Sequence, residues 1–296
     1  MRHETSAWAG FWQGEPAAQE GATLVNLRPE LRESLDAPWR SFAVGLPASA
    51  HVLDLATGGG IVLSLLRRER TDLILTGVDA AADLPTKPGM TLRGGVLNDR
   101  LPFPDASFDA VTSRFGIEYG PLQPSATEAM RVLRPRGTLC MLAHHADSRV
   151  LSHNRARRDA LRWAAYESGW VEKALNLTRT RHVMALAAPP AFRSAAADAR
   201  CRFPEQSVGE EFLTGLVQVL DLAHPQRGEG MILQLLARAA GEIARLDALL
   251  AAACDGDRLR QLTQGLEQAG MILAPIRTVD ETDGVPLAWH LEGHKI

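Results

Sequence analysis

The stretch His51-Val52-Leu53-Asp54-Leu55-Ala56-Thr57-Gly58-Gly59-Gly60, running into the apolar segment 61–66, constrains the chain more than any other. An apolar strand that carries a carboxylate and turns through glycines into a helix belongs at the carboxyl edge of a parallel sheet, where bare main chain and a helix N-terminus face a ligand. Parallel strands need crossover helices and burial on both faces, so more βα units have to follow. Between His51 and His145, β-branched or leucine runs alternate with helical stretches and turn residues, which is the pattern of a parallel sheet. Strands are expected at 51–55, 73–78, 110–113 and 138–143. Helices are expected at 61–70 and 125–133, the second stopped by Arg134-Pro135-Arg136-Gly137.

From Ser148 the alternation ceases. Residues 152–170, 207–222 and 229–253 read as helices, the last two separated by a turn at 224–230 that holds one proline and two glycines. A helix at 257–269 precedes strands at 271–279 and 287–292 around an Asp283-Gly284 hairpin turn. The predicted organisation is a helical leader (1–50), an α/β domain (51–148 and 254–296) and a helical insertion (149–253).

The 296 residues are 46% hydrophobic and 23% charged, as expected of a globular chain. A net charge of -3 gives no general attraction to nucleic acid or anionic lipid, and no run of about 18 apolar residues provides a membrane span. Arg2, His3, Glu4, Glu15 and Glu20 break up the first twenty residues, so no secretory signal is read there and a cytoplasmic protein is expected. Cys140, Cys201 and Cys254 lie more than fifty residues apart, which fits neither a disulfide framework nor a CxxC metal motif, and they are read as structural. Residues 149–202 carry net +7 and residues 203–296 net -7. Arg149, Arg155, Arg157, Arg158 and Arg162 could therefore attract an acidic group on a substrate, or simply face acidic helices or solvent. Nothing in the sequence signals an oligomeric state.

Asp79 follows the second apolar strand twenty-five residues after Asp54. It stands about where an acid can accept both hydroxyls of a ribose, and it could equally cap the following turn. Farther on come Leu101-Pro102-Phe103-Pro104-Asp105-Ala106-Ser107-Phe108-Asp109 and then Leu133-Arg134-Pro135-Arg136-Gly137. With these motifs in this order the sequence resembles the class I S-adenosylmethionine-dependent methyltransferases, especially the subgroup that includes the ubiquinone and menaquinone biosynthesis enzymes. In that subgroup the first loop often reads DLATGTG and the fourth strand is announced by LPFPDxSFD.

The resemblance implies a Rossmann-like doubly wound sheet with an antiparallel last strand, S-adenosyl-L-methionine as cofactor, and a small-molecule acceptor held between that domain and the insertion. By the same resemblance Asp54 and the backbone of Ala56, Thr57, Gly58 and Gly60 hold the methionine half of the cofactor, Asp79 the ribose, and Ala80 flanks the adenine. The subgroup's usual aspartate for the adenine amino group is replaced within Gly95-Val96-Leu97-Asn98-Asp99, where Leu97 and Asn98 become the candidates and Asn98 can both donate and accept. Ala56 stands in place of the family's first glycine, a position where a methyl group makes positive φ costly by roughly 1 kcal/mol. Ser113, Arg114 and Phe115 are expected to line the cofactor, with Glu118 or Tyr119 facing the acceptor. A leader carrying Trp8, Phe11, Trp12 and Trp39 would fold over the cofactor in such enzymes, where an aromatic face can meet the sulfonium, although helical spacing suits ordinary packing as well.

His144 and His145 end the fifth strand. Either could act as a general base near neutrality, or both could be structural. With Asp147 they resemble a metal cluster, yet no metal is expected. The dinucleotide fingerprint GxGxxG is absent, which disfavours a nicotinamide enzyme, and the loop at 112–120 lacks the NPPY-like sequence of adenine and glutamine methylation. A non-catalytic adenosyl-binding or partner-binding protein and a protein or tRNA methyltransferase remain as rivals.

Overall fold

The computed structural model describes residues 29–183, 189–222 and 224–296. These form two compact units, residues up to 151 together with 248–296, and residues 152–247. Trp8, Phe11 and Trp12 lie outside the described residues.

In the first unit the alternating apolar runs become strands β1 (His51–Leu55), β2 (Ile74–Val78), β3 (Met90–Arg93), β4 (Phe108–Arg114) and β5 (Leu133–His144), followed by β6 (Met271–Leu273), β7 (Arg277–Asp280) and β8 (Pro286–Lys295). The sheet order is β3-β2-β1-β4-β5-β8-β6, with β7 also on β8. Strands β1 to β5 run parallel, and β8 is antiparallel to β5 from Thr138↔His294 to His144↔Ala288. The chain steps back from β3 on one side of β1 to β4 on the other, so the crevice between the ends of β1 and β4 is the switch point of the sheet.

Each face of the sheet has its own core, because successive strand residues point to opposite sides. On one face Leu53, Val111, Leu139 and Met141 pack with Ala126, Ala129 and Met130 of α3 (Leu122–Val132) and with Leu259, Leu262 and Leu266 of α9 (Gly256–Gln268). On the other, Val52, Ala110, Cys140 and Leu142 pack with α1 (Pro29–Gly45) and α2 (Ile61–Glu69). Helix α1 buries Leu31, Leu35, Trp39 and Ala43, an i, i+4 stripe. Trp39 is therefore a core residue with no exposed surface, and its indole nitrogen has no partner.

The second unit is helical. It comprises most of α4 (Arg149–Arg162) and α8 (Pro225–Ala252), with α5 (Trp170–Val183), α6 (Ala195–Arg202) and α7 (Ser207–Leu222) between them. Small residues Ala160, Ala164, Ala174, Ala195 and Ala199 let these helices approach around Phe212, Leu213 and Leu216. Three arginines of its basic cluster have acidic partners within the unit. Arg158 and Arg162 donate to Asp247 at 2.9 and 2.7 Å, and Arg157 to Glu242 at 3.4 Å. In the first unit, Arg149 reaches Glu281 at 3.1 Å and also Asp283.

The differences from the sequence reading have local causes. Strand β3, a short edge strand with alternate residues exposed, carries too little apolar pattern to be seen. Strand 271–279 is broken into β6 and β7 around Ala274-Pro275-Ile276, since proline cannot donate to a ladder. The turn expected at 224–230 is mostly the first turn of α8: Pro225 occupies the first helical position, where its missing N–H is not needed, and both glycines are helical. The helix expected over 152–170 ends earlier, and α5 restarts after Gly169, whose φ is 74°. Asp255 caps α9, accepting from the N–H groups of Asp257 and Arg258.

Candidate functional site

The main chain after β1 is coiled in a way few sequences accept. Ala56, Gly58 and Gly60 all adopt positive φ, at 51°, 48° and 71°. Glycine does this freely, whereas the left-handed conformation costs an alanine roughly 1–2 kcal/mol. A contact accompanies that strain: a Cβ on Gly116 would lie 2.4 Å from the Ala56 methyl, so the methyl rests on the bare Cα of Gly116 in the loop after β4. Thr57 N–H donates to Val78 O at 2.9 Å and Gly60 N–H to Thr57 O at 2.7 Å, which pins the turn to the end of β2.

Asp79, at the end of β2, is 7% exposed. Its Oδ2 accepts the Gly58 N–H at 2.8 Å and its Oδ1 the Ala81 N–H at 2.8 Å. The residue thus caps its own turn, as one sequence reading had it, and also holds the glycine turn. An ionised carboxylate has about four acceptor positions, so two more hydrogen bonds remain within its capacity. Burial raises its pKa, opposed by these two N–H groups. Asp54 is buried on β1, where the Thr112 hydroxyl of β4 donates to it at 2.8 Å across the switch point. Burial pushes its pKa up to about 7 against that hydrogen bond.

Ala80 follows Asp79 and is partly buried. Of the pair proposed near adenine, Asn98 donates to Gly116 O at 3.4 Å and is partly buried, while Leu97 is 46% exposed. Ser113 uses its hydroxyl twice, donating to Leu55 O at 3.1 Å and accepting the Ile117 N–H at 3.0 Å, which ties the β1 and β4 loops together. Arg114 forms an ion pair with Asp36 of α1 at 2.8 Å, with side chains 7% and 16% exposed. The arginine also stands over the Phe115 ring at 5.9 Å.

Phe115, at φ 57°, stacks on His144 with centroids 4.3 Å apart and planes 12° from parallel. Glu118 is 1% exposed. Its Oε1 accepts the His144 N–H at 2.9 Å, while Oε2 is buried without a partner. Burial pushes the Glu118 pKa up to about 7, and the same burial pulls His144 down to about 3. The Tyr119 hydroxyl lies 3.4 Å from His144 Nε2. His145 stacks on Trp289 at 4.3 Å, and its Nδ1 accepts the Asp147 N–H at 3.1 Å; burial lowers its pKa also. The sequence reading missed three partners of these groups: Asp36, Thr112 and Arg258, whose guanidinium donates to Glu118 O at 2.8 Å. Each is far away in the chain, and no spacing announces it.

The fold, the glycine turn at a switch point and the two strand-end acids coincide with a match to a known family model, described as a methyltransferase domain, over residues 53–141. The match is to that domain alone and covers under a third of the chain. Over 145 residues the chain is 33% identical to the demethylmenaquinone methyltransferase of Thermotoga maritima, which covers 46% of this chain and 61% of that protein. It is also 30% identical over 123 residues to a ubiquinone/menaquinone biosynthesis C-methyltransferase of Geotalea daltonii, covering 36% and 52%. The chain thus spans about half to three fifths of the length of these curated relatives. A solved SAM-dependent methyltransferase from Aquifex aeolicus overlaps 91% of this chain and 94% of its own at 13% identity, with a TM-score of 0.40.

S-adenosyl-L-methionine is the cofactor such a methyltransferase domain implies, and the residues present suit it. The left-handed turn offers main chain free of side-chain bulk at Gly58 and Gly60, Asp79 keeps acceptor capacity for two hydroxyls, and Asp54 places a second carboxyl near the turn. Among the described residues, no helix is long and apolar enough to cross a membrane.

Proposed function

We propose that the protein transfers a methyl group from S-adenosyl-L-methionine to a small-molecule acceptor, at carbon, oxygen or nitrogen, and that it does so in the cytoplasm. The observation that carries this reading is Asp79, tied to the glycine turn through the Gly58 N–H at 2.8 Å, one strand away from Asp54. In this reading the backbone from Ala56 to Gly60 and Asp54 hold the amino-acid end, Asp79 the ribose hydroxyls, and Ala80, Leu97 and Asn98 the adenine. The names of the relatives make a reduced quinone ring the first acceptor to try. A contribution of the helical unit to acceptor choice is part of the proposal.

The bound cofactor would supply an activated methyl on a sulfonium, a good leaving group already in place. Alignment and exclusion of water are then the protein's main tasks. A carboxylate held against such a sulfonium would stabilise the charged ground state more than the transition state. Glu118 is better suited to orienting the acceptor or the 116–120 loop. With a pKa of about 3, His144 is a feeble base at neutral pH. Its role in this reading is to hold Phe115 and Tyr119 in place.

Incubation with methyl-labelled cofactor and a panel of reduced quinones, phenols and amines tests the proposal. Label in an extractable small molecule supports it. Label in tRNA or protein, or cofactor binding with no turnover on any acceptor, would favour one of the rival readings.

A further inference from the structure

Cys140 of β5 stands opposite Glu292 of β8, and Leu142 opposite His290. Residues two apart on a strand share a face, so Cys140, Glu292 and His290 meet on the α1/α2 side of the sheet. Their donor atoms form a triangle: Sγ to Nε2 is 3.7 Å, Sγ to Oε1 is 3.9 Å and Nε2 to Oε1 is 3.2 Å. Zinc-type bonds of about 2.3 Å to sulfur and 2.0–2.1 Å to nitrogen or oxygen, set tetrahedrally, give edges of roughly 3.5 Å with sulfur and roughly 3.4 Å without. Every side of the triangle falls within roughly 0.4 Å of such an edge.

We propose that Cys140, His290 and Glu292 form a three-ligand site for a thiophilic divalent cation of the zinc class, with solvent as its fourth ligand. The donor set suits that class: a thiolate, an imidazole and a carboxylate are its usual ligands, and two anionic donors cancel the ion's charge. Cys140 is buried, the His290 side chain is 14% exposed and that of Glu292 is 42% exposed. The site therefore has a closed floor and one wet corner, through which the ion enters and where the fourth position lies. Arg277, which pairs with His290 in the β7–β8 register, is the nearby positive charge, and it is exposed to solvent. Metal here clips β5, the last strand of the parallel set, to the antiparallel β8. The separate spacing of the cysteines hid the site, because its other two ligands lie 150 and 152 residues away from Cys140.

Chelator-treated protein titrated with Co²⁺ alone tests this without any cofactor or acceptor. One equivalent should bind and raise a thiolate-to-cobalt charge-transfer band in the near ultraviolet, and the melting temperature should rise with it. Glu292→Gln should keep the band and weaken binding at least tenfold. Cys140→Ser and His290→Gln should each weaken it further, the former removing the band, while Cys201→Ser, at an exposed cysteine, should change nothing. Near-ultraviolet circular dichroism confirms folding of each variant; should Cys140→Ser not fold, the Glu292→Gln and His290→Gln titrations decide. The proposal is overturned if the parent protein shows no band, if the band survives in Cys140→Ser, or if Glu292→Gln and His290→Gln bind as the parent does.

Discussion

The carboxyl ends of β1 and β2 are built from main chain, whereas the ends of β4 and β5 are built from side chains. At the first, three left-handed residues shape the turn and two N–H groups bind Asp79. At the second, Arg114, Phe115, Glu118, Tyr119 and His144 contact one another or distant helices. Main chain offers the same groups whatever the side chains are, so the first region suits a cofactor common to many acceptors. Side chains can be exchanged without disturbing the turn, so under the proposed function the second region is the one suited to selecting an acceptor.

The largest effect should come from separating Arg114 and Asp36. Arg114→Leu leaves a buried site without its cation and the partly buried Asp36 carboxylate without its partner, and the cost should approach the roughly 3–5 kcal/mol of a buried pair. Urea unfolding of the variant measures this, and a cost under about 1 kcal/mol, typical of a surface pair, would show that side chains do not hold the second region.

Glu118→Gln should act in the opposite direction. The folded carboxyl titrates at about 7 against an ordinary 4.5. Below pH 4.5 it is protonated in both states, so the parent suffers no penalty. As pH rises to 7 the fold holds a proton that the unfolded chain releases, and parent stability falls. Glutamine removes that loss, so the variant should match the parent near pH 4.5 and exceed it by up to about 3 kcal/mol at pH 7. Unfolding curves at several pH values check the crossover. A gain in stability joined to a loss of turnover would mark Glu118 as a group kept for function.

A smaller effect tests the junction of the two regions. Gly116→Ala places a Cβ 2.4 Å from the Ala56 methyl and should cost about 1–3 kcal/mol. Adding Ala56→Gly should return most of it, because the second change removes the methyl and its backbone strain. Additive costs in the double variant would show that the loops do not bear on one another.

The same contrast explains what could be read in advance. The turn from Asp54 to Gly60, the acid at Asp79 and four of the five parallel strands were legible because each is a local pattern of apolar runs, glycines and strand-end carboxylates. The second region was legible only as a list of residue types. Its geometry depends on Glu118 meeting His144 across 26 residues and Arg258 across 140. Trp39 shows the same limit from the other side: as an aromatic of the leader it fitted a cofactor lid and ordinary packing alike, and burial against β1 and α2 decided for the core.

The central claim is that Asp79 and the turn it holds grip an adenosyl group. Calorimetric titration of S-adenosyl-L-homocysteine into the parent protein and Asp79→Asn tests it directly. The account expects one site in the parent and affinity lowered more than tenfold in the variant, roughly 1.4 kcal/mol. Equal affinity in a folded variant, or no binding by the parent, would contradict it.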